Sequence, residues 1–399
     1  MFVRIRKTLS KLMLIGTAAI LLTGSFFAAL SPLQASAARS GISPHSADQA
    51  LCLPAQLEQF ENYDCAELGP AGRLKELAGK GITFPAEPLP ITKPPLDLMN
   101  IPFAYALVSN EAVPVYDNLD NAMADIPGNT LLASKIKYVS LYQKSNTDKG
   151  MFYQISTNEW ISGQFIKKVS IPTFQGYLFK SNPARPFGWA MDTFTTRVSP
   201  SMNATETGRV YYKYNILQVY DTQTINDMEW SMVGVDEWIP SRYLARVIPN
   251  YTPPQGVTSN RWIEVNLQEQ VLMVHDSGRI VFATLISSGS PPFYTQPGVF
   301  QIYKMLANDP MSGSFESDKS DYYYLEDVPY IMYYDKLRAL HGAYWNNYLG
   351  DRGSHGCVNL SVGDAHWLFD WAKEGDFVYV WDPTGKTPTD PSLYGSGGF

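Results

Sequence analysis

Short runs in which apolar and polar residues alternate recur from residue 103 to residue 382, and they constrain the fold more than any other feature. Examples are "IKYVSLY" at 136–142, "YNILQVY" at 214–220 and "RWIEVNL" at 261–267. A period of two places successive side chains on opposite faces of an extended chain, as in a half-buried β-strand. Polar turn residues separate the runs. The sequence therefore predicts a mainly β protein.

Two pairs of similar segments indicate a diverged internal repeat. "PFAYAL" at 102–107 is echoed by "PFGWAM" at 186–191, and "NEWIS" at 158–162 by "DEWIP" at 236–240. The two copies, residues 103–180 and 181–250, are each expected to form a small β-barrel. They resemble the Src-homology-3-like modules that bacterial exported enzymes carry beside a catalytic domain. A single continuous β-domain without true repeats is the alternative.

The N-terminus has the pattern of a secretory signal peptide over residues 1–37. Basic residues precede an almost wholly apolar stretch at 12–30, and Ala35-Ser36-Ala37 forms a small-residue cleavage site. We therefore expect an exported protein at the extracytoplasmic cell wall or cell surface. Because the apolar stretch nearly reaches the length of a membrane span, an uncleaved N-terminal anchor is the alternative.

A short helical head is expected at residues 38–83, before the β-rich region. It contains Cys52 and Cys65, which are close in sequence and can form a disulfide in an oxidising environment. Residues 84–102 contain six prolines and are predicted to be a stiff, extended linker. A second linker is expected at 251–260, where Pro-Pro and Gly interrupt the pattern.

The charge of the chain argues against nucleic acid as a partner. The formal net charge is −7, and removal of the four basic residues of the signal peptide would make it −11. Nucleic-acid phosphates require contacts from lysine and arginine. This balance excludes one class of partner without identifying another.

Cys357 is the cysteine that remains if Cys52 and Cys65 pair. In an exported protein such a residue forms an intermolecular bridge or is a reactive thiol. It lies in "GSHGCVNLS" at 353–361, where glycines allow a tight turn whose N–H groups can converge on one point. A helix is expected directly afterwards, over 361–375, with Ser361 and Asp364 capping its start.

His341, at the end of the strand-like run "LRALHG", is the candidate partner of this thiol. A cysteine nucleophile needs a base or a field that lowers its pKa, and a histidine at a strand end can meet a turn across a cleft. Zinc ligation by His341, His355, Cys357 and His366 is disfavoured because the usual ligand spacings are missing. We expect no metal and no cofactor.

Residues 261–383 resemble the catalytic domain of L,D-transpeptidases, also called YkuD-type domains. The family pattern is an upstream histidine, then Ser or Thr followed by His-Gly-Cys, an apolar residue and Arg or Asn. His341 and the run Ser354-His355-Gly356-Cys357-Val358-Asn359 match it. "TQPGVFQI" at 295–302 and "LEDVPYIMYY" at 325–334 are also similar to family segments. The tail at 384–399 lies beyond the resemblance and is expected to be disordered.

The resemblance implies a fold and a reaction. The fold would be a mainly β sandwich with the cysteine in a loop and one short helix after it. The enzyme would be an acyltransferase of peptidoglycan biosynthesis, acting in cell-wall organisation and cell shape. The cysteine would attack the donor tetrapeptide before its terminal D-Ala, release D-Ala and form a thioester. The amine of an acceptor stem would then resolve the thioester as an L,D (3→3) crosslink.

The resemblance also implies residue roles. Cys357 would be the nucleophile and His341 the general base, with the imidazole oriented by the carbonyl of Gly342. The N–H groups of Gly356 and Cys357 would bind the oxyanion. Tyr324 is the nearest match to a family tyrosine that helps there. Its close rivals are Tyr322 and Tyr323. The remaining residues of the motif would shape the site; these are Ser354, His355 and Asn359.

Two other functions stay open at this point. The same site could use water as acceptor, which would make the protein an L,D-carboxypeptidase or endopeptidase. The protein could instead be a non-catalytic cell-wall-binding protein whose enzyme domain has lapsed. By analogy of architecture, the two N-terminal modules are expected to contact cell-wall glycan or to space the enzyme from it.

Overall fold

The computed structural model describes residues 70–155, 158–314 and 316–395. The predicted signal peptide and the Cys52–Cys65 pair lie outside these residues, so both remain predictions. From Arg73 onward the chain belongs to one compact unit. None of the described helices has the length and apolarity needed to cross a membrane.

The described residues are mainly β, as predicted, with few and short helices. The α-helices are α1 (Pro70–Gly79), α2 (Leu119–Ala124) and α3 (Val362–Trp371). The 3₁₀ helices are Leu96–Met99, Gly163–Phe165, Ser241–Tyr243 and Pro391–Tyr394. The helix expected after Cys357 is therefore present as α3. It begins as predicted, because the Ser361 hydroxyl accepts a hydrogen bond from Asp364 N at 3.2 Å.

The N-terminal strands form two series with the same order. After β1 (Ile91–Thr92), the first series is β2 (Ala104–Val108), β3 (Val113–Val115), β4 (Asn129–Leu131), β5 (Ile136–Leu141), β6 (Gln143–Thr147), β7 (Gly150–Gln154), β8 (Trp160–Ser162) and β9 (Ile166–Lys168). After β10 (Tyr177–Phe179), the second series is β11 (Phe187–Ala190), β12 (Phe194–Arg197), β13 (Glu206–Tyr211), β14 (Ile216–Gln218), β15 (Asp221–Ile225), β16 (Met228–Gly234), β17 (Glu237–Pro240) and β18 (Leu244–Val247).

The pairing within the two series is also the same, so the repeat detected in the sequence is a repeat of topology. Strand β2 pairs with β5 and β9, as β11 pairs with β14 and β18. Strands β3 and β4 pair, as do β12 and β13. Strands β6, β7 and β8 form one sheet, as do β15, β16 and β17. The echoed tryptophans occupy equivalent places, with Trp160 opposite Tyr116 and Trp238 opposite Arg197.

The C-terminal strands form two sheets that face each other across the main core. They are β19 (Arg261–Asn266), β20 (Val271–Asp276), β21 (Arg279–Leu285), β22 (Gly298–Gln301), β23 (Lys304–Gly313), β24 (Tyr323–Asp335), β25 (Arg338–Gly342), β26 (Val358–Leu360) and β27 (Phe377–Trp381). One sheet has the order β1-β10-β21-β20-β19-β27-β22. The other has the order β26-β25-β24-β5-β2-β9, with β23 also paired to β24. Apolar side chains of both sheets and of α3 fill the space between them.

The first module is joined to the C-terminal domain by a continuous sheet. Strand β5 of the module runs parallel to β24, with Tyr323 opposite Ile136 and Leu325 opposite Tyr138. The module boundary at residue 180 is wrong, because β10 pairs with β21 of the other C-terminal sheet. The first module therefore ends with β9, and its position relative to the C-terminal domain is set by backbone hydrogen bonds.

The proline-rich segment 84–102 is not a free spacer, which corrects the prediction. Strand β1 inside it pairs with β10 and so extends the C-terminal sheet. Its 3₁₀ helix at Leu96–Met99 lies against α3, where Leu98 O and His366 Nδ1 are 3.0 Å apart. Proline content predicts an extended backbone, but it does not tell whether that backbone is solvated or packed.

The prediction of a disordered tail is also wrong for residues 384–395. The segment folds back, ends in the 3₁₀ helix Pro391–Tyr394 and buries Tyr394. The Arg338 guanidinium donates a hydrogen bond to Tyr394 O and lies 5.2 Å from the centre of its ring. Since Arg338 is buried, its charge needs such partners, and the tail supplies them together with Asp335.

We expect replacement of Tyr105 with Ala to lower the free energy of unfolding by about 3–5 kcal/mol. Tyr105 of β2 is buried, and its ring stacks on Tyr344 with centroids 3.4 Å apart. Its hydroxyl donates to Asp327 O at 2.7 Å. The Ala variant would lose this hydrogen bond and leave a cavity between the first module and the C-terminal domain. Urea unfolding followed by tryptophan fluorescence measures the change.

Tyr105→Phe is the matched control, because it keeps the ring and removes only the hydroxyl. Its loss should be about 1–2 kcal/mol, the cost of leaving the buried Asp327 carbonyl without this donor. An Ala variant as stable as the wild type would contradict the expectation that this contact stabilises the packing of the first module on the C-terminal domain.

Candidate active site

A narrow cavity of about 50 Å³ contains both of the residues expected to carry the chemistry. Its walls come from the β25–β26 pair, the turn before β26, the paired strands β23 and β24, and the first residue of β5. The lining residues are Ile136, Met311, Tyr323, Leu325, His341, Trp345, Gly353, Ser354, His355, Cys357 and Asn359. Segments that are distant in the sequence therefore meet at one thiol.

The turn before Cys357 depends on Gly356 and Ser354. Gly356 has φ of 116°, and a Cβ there would lie 3.1 Å from Arg338 Nε, so a larger residue would be strained and crowded. The Ser354 hydroxyl donates to Cys357 O at 2.5 Å and accepts from Gly356 N at 3.1 Å. The serine of the motif thus closes the turn that presents the thiol.

Cys357 is a free, half-buried thiol. Burial raises the pKa of this thiol above its ordinary value, while the Ala339 N–H and the charge of Arg338 act in the opposite direction. The sulfur lies 3.9 Å from Leu337 O, to which the thiol can donate. Because burial dominates, the group is a protonated thiol near neutral pH and needs a base to become a nucleophile.

His341 is held as a neutral imidazole of defined tautomer. It is almost completely buried, and burial lowers its pKa to about 4. Its Nδ1 lies 3.2 Å from Gly342 O. A carbonyl oxygen can only accept, so Nδ1 carries the proton and Nε2 keeps its lone pair. The contact expected between Gly342 and the imidazole is thus present, and the free nitrogen can accept a proton.

Strand register places His341 on the same side as the cysteine turn. Strands β25 and β26 run parallel, with His341 opposite Asn359, two residues after Cys357. Among the described residues, the thiol bonds to Leu337 O and the imidazole to Gly342 O, without a direct hydrogen bond between the two side chains. Such bonds are often long in enzymes without substrate and tighten when it binds.

Comparison with known proteins identifies the family of the C-terminal domain. The family model described as the YkuD L,D-transpeptidase catalytic domain matches residues 260–380. Residues 260–380 belong to the L,D-transpeptidase catalytic-domain family. The remaining residues are outside the match, and no curated protein matches the chain.

Several solved L,D-transpeptidase structures are similar to this chain. The catalytic domain from E. faecium is 30% identical, with 32% of this chain and 100% of that domain covered, and a TM-score of 0.28. The enzyme from Stackebrandtia nassauensis is 26% identical, covering 32% of this chain and 58% of that one, with a TM-score of 0.26. The enzyme from Mycobacterium smegmatis is 20% identical, covering 49% and 93%, with a TM-score of 0.29.

Tyr324 does not reach the thiol of this L,D-transpeptidase domain, which corrects the prediction. Its hydroxyl donates to Glu326 Oε1 at 2.9 Å, and its ring packs on the core of the first module. Tyr323 lines the cavity instead, and burial and the nearby Cys357 raise its pKa. Successive side chains of a strand point to opposite faces, so only one of the two neighbours can face the sulfur.

The N–H of Gly356 is also not available for an oxyanion, since it donates to Ser354 Oγ. The expectation that it binds the oxyanion is therefore wrong for this structure. The Cys357 N–H is the second donor expected from the sequence, and its role stays a prediction. The role of Gly356 is conformational.

The two remaining motif residues line the same cavity. The His355 ring stacks with the rings of Phe293 and Tyr323, whose centroids are 4.8 Å and 5.3 Å away, and burial lowers the pKa of His355. The backbone N of Asn359 donates to Ser287 O at 2.9 Å, which ties the strand after the thiol to the loop that follows β21. His366 lies apart from the cavity, stacked on Tyr330.

Sequence reasoning missed several walls of this L,D-transpeptidase site. Trp345 follows the His341-Gly342 pair closely, and its ring lies 5.7 Å from the imidazole. The closeness of Trp345 to this pair in the sequence was the signal that could have identified it as a wall of the site. Ile136 comes from the first module, and no local pattern connects it with the thiol. Only the parallel pairing of β5 with β24 brings it there.

Proposed function

We propose that this protein is an exported L,D-transpeptidase that forms 3→3 crosslinks in peptidoglycan through a thioester on Cys357. The observation that carries the proposal is one cavity that holds a free thiol and a neutral imidazole with a free Nε2. A thiol beside a base is the arrangement that nucleophilic acyl transfer requires. The family match over 260–380 supports this choice of reaction.

In the first half-reaction, the Cys357 sulfur attacks the carbonyl carbon that precedes the terminal D-Ala of a donor tetrapeptide. His341 Nε2 takes the thiol proton and gives it to the departing D-Ala nitrogen as the C–N bond breaks. The products are free D-Ala and a thioester. The proposed donors to the oxyanion of the tetrahedral intermediate are the Cys357 N–H and the hydroxyl of Tyr323, since Tyr323 lines the same cavity as the thiol.

In the second half-reaction, an amine of an acceptor stem attacks the thioester carbonyl. His341 accepts a proton from the attacking nitrogen and returns one to the sulfur as the C–S bond breaks. A new amide joins the two stems, and the thiol is restored. If water takes the place of the amine, the same residues hydrolyse the thioester, which is the carboxypeptidase alternative.

Export is part of the proposal, because the substrate lies outside the cytoplasm. It rests on the basic start, the apolar stretch and the Ala35-Ser36-Ala37 site. The Cys52–Cys65 disulfide would be compatible with an oxidising compartment. By analogy of architecture, the N-terminal modules are also proposed to contact wall glycan.

The test is intact-protein mass spectrometry of residues 38–399 incubated with a disaccharide-tetrapeptide. A covalent adduct, released D-Ala and a crosslinked dimer would support the transpeptidase. An adduct and D-Ala without dimer would identify the hydrolase. Protein with a demonstrably free Cys357 thiol that forms neither adduct nor D-Ala would contradict both and favour the non-catalytic wall-binding protein.

Tyr323→Phe should lower kcat and kcat/KM for D-Ala release together, by about 10-fold to 100-fold. The change removes a donor that would act only on the developing oxyanion, so ground-state binding should be retained. Tyr324→Phe is the matched control on the neighbouring residue, because its hydroxyl bonds Glu326 instead. Steady-state kinetics of both variants measure this. A larger loss in the Tyr324 variant would reverse the assignment.

A further inference from the structure

A groove opens beside the catalytic cavity, and it is formed jointly by the first module and the C-terminal domain. We call it the module groove; it is lined by Asn110, residues 132–136 and 318–322, and His355. Its volume is about 730 Å³. Ile136 and His355 line both the groove and the catalytic cavity, so the two spaces adjoin.

The two volumes differ in what they can hold. About 50 Å³ is room for only a few water molecules, since one water needs at least about 10–15 Å³ of such space. Binding sites for small molecules usually measure about 300–1,000 Å³. The catalytic cavity can therefore admit the reacting group of a substrate, while the module groove is large enough for the peptide that carries it.

The module wall of the groove is held in place by strong contacts. The Ser134 hydroxyl donates to Tyr322 O, so a residue of the module is bonded to a residue of the opposite wall. Lys137 is completely buried, and its ammonium donates to Glu111 O at 2.6 Å and Leu132 O at 2.9 Å. These bonds fix the segment before β5, and the pairing of Ile136 with Tyr323 fixes its start. The wall is thus preorganised against the C-terminal domain.

The opposite wall comes from loop residues 318–322, between β23 and β24, which are held by contacts of their own. Asp321 Oδ1 accepts from the Ser314 hydroxyl at 2.5 Å and from Glu316 N at 3.1 Å. Lys319 has φ of 58°, and its carbonyl accepts from Tyr322 N at 3.1 Å. The loop therefore holds a tight turn beside the module and presents its charged residues along the groove.

The groove lining carries charges of both signs. Lys135 is exposed on the module wall, and Lys319 and Asp318 are exposed on the loop, with Asp321 half-buried beside them. A ligand with one sign of charge would meet repulsion from half of these groups. A peptide that carries both a carboxylate and an ammonium, as a stem ending in D-Ala does, is complementary to the set.

We propose that the module groove is the subsite that binds the peptide substrate, and that Lys135 pairs with the carboxylate of that peptide. This inference rests on the proposed function and deepens it. The first module then supplies part of the substrate site. Because its wall is joined to β24 by a continuous sheet, the C-terminal domain without the module would lack one side of the groove.

The test uses the full mature chain carrying Cys357→Ala, so that peptide binds without reacting. Calorimetry with the tetrapeptide should show about fivefold to tenfold weaker binding when Lys135→Glu is added, as expected for reversal of one exposed charge. Lys144→Glu, an exposed lysine of the same module outside the groove, should leave the affinity unchanged. A tetrapeptide amidated at its C-terminus should bind both proteins alike.

A second measurement separates the groove from the thiol. In protein with intact Cys357, the rate of alkylation by iodoacetamide should be the same for wild type and Lys135→Glu, because the small reagent needs only the cavity. Slower alkylation in Lys135→Glu would mean that the substitution disturbs the site, and this would overturn the proposal. Equal peptide affinity in Lys135→Glu and Lys144→Glu would overturn it as well.

The outcomes also distinguish this proposal from the proposed function. If the tetrapeptide is turned over with the same KM by wild type and Lys135→Glu, the transpeptidase stands and the groove proposal falls. If binding depends on Lys135 and on the free carboxylate but no acyl transfer occurs, the groove is a peptide site and the proposed reaction falls.

Discussion

Replacement of Cys357 with Ala should lower D-Ala release from the tetrapeptide by at least about 10³-fold, because the variant lacks the atom that forms the thioester. The residual rate of D-Ala release would be what substrate binding and the oxyanion donors provide without a nucleophile. Since the thiol is half-buried at the edge of the core, removal of one sulfur should cost little stability. Quantification of D-Ala with equal protein concentrations measures the loss, and the adduct should be missing from the mass spectrum.

Cys357→Ser is the companion variant, because its side chain is close in size and keeps a nucleophilic atom. Its hydroxyl is far less acidic than a thiol, so it should also be slow. Unfolding curves that match the wild type would assign the loss to chemistry in both variants. Activity of the Ala variant within about tenfold of the wild type would place the nucleophile elsewhere and remove the basis of the mechanism.

Replacement of His341 with Asn should lower kcat by about 10² to 10⁴-fold, the usual range for a general acid–base group. The loss of kcat should be large because burial raises the pKa of Cys357 and leaves little thiolate near neutral pH. The thiol therefore needs His341 to remove its proton. His366→Asn is the matched control, since His366 lies on α3 away from the cavity. Its kcat should stay within about twofold of the wild type.

The pH dependence of kcat/KM is an independent test of His341 as the general base. Burial lowers the pKa of His341 to about 4, so the imidazole is neutral and able to accept a proton at all higher pH values. As the pH falls through about 4, His341 becomes protonated and kcat/KM should decrease. An acid limb centred near 6.5 instead would mean that a solvated histidine is the base.

The sequence was sufficient to predict the class of fold and to select Cys357 and His341, which line one cavity in the structure. Strand periodicity is a local property, and it persists in the structure as β19, β20 and β21. The two echoed motifs were short, yet the repeat that they indicated corresponds to two series of strands whose pairing is the same. Ser361 and Asp364 predicted the start of α3, because a helix cap involves residues three positions apart.

The choice between Tyr323 and Tyr324 could not be made from the sequence. Adjacent residues of a strand face opposite sides, and their assignment depends on the register of β24 with its neighbours. That register is set by β23, β25 and β5, so it is a property of the assembled sheet. The partner of the Gly356 N–H could not be predicted from the sequence for a similar reason. This N–H donates to Ser354 Oγ, and that contact depends on how the turn folds.

The mainly β class, the repeat of strands and the choice of Cys357 and His341 as candidates thus came from the sequence alone, because each depends on residues close in the chain or on a recognisable motif. The tertiary structure decided that the first module forms a wall beside the thiol, that the tail covers Arg338, and that the proline-rich segment joins a sheet. These features arise where segments far apart in the chain meet. Burial, strand register and partners for buried charges act between such segments, and no local pattern encodes them.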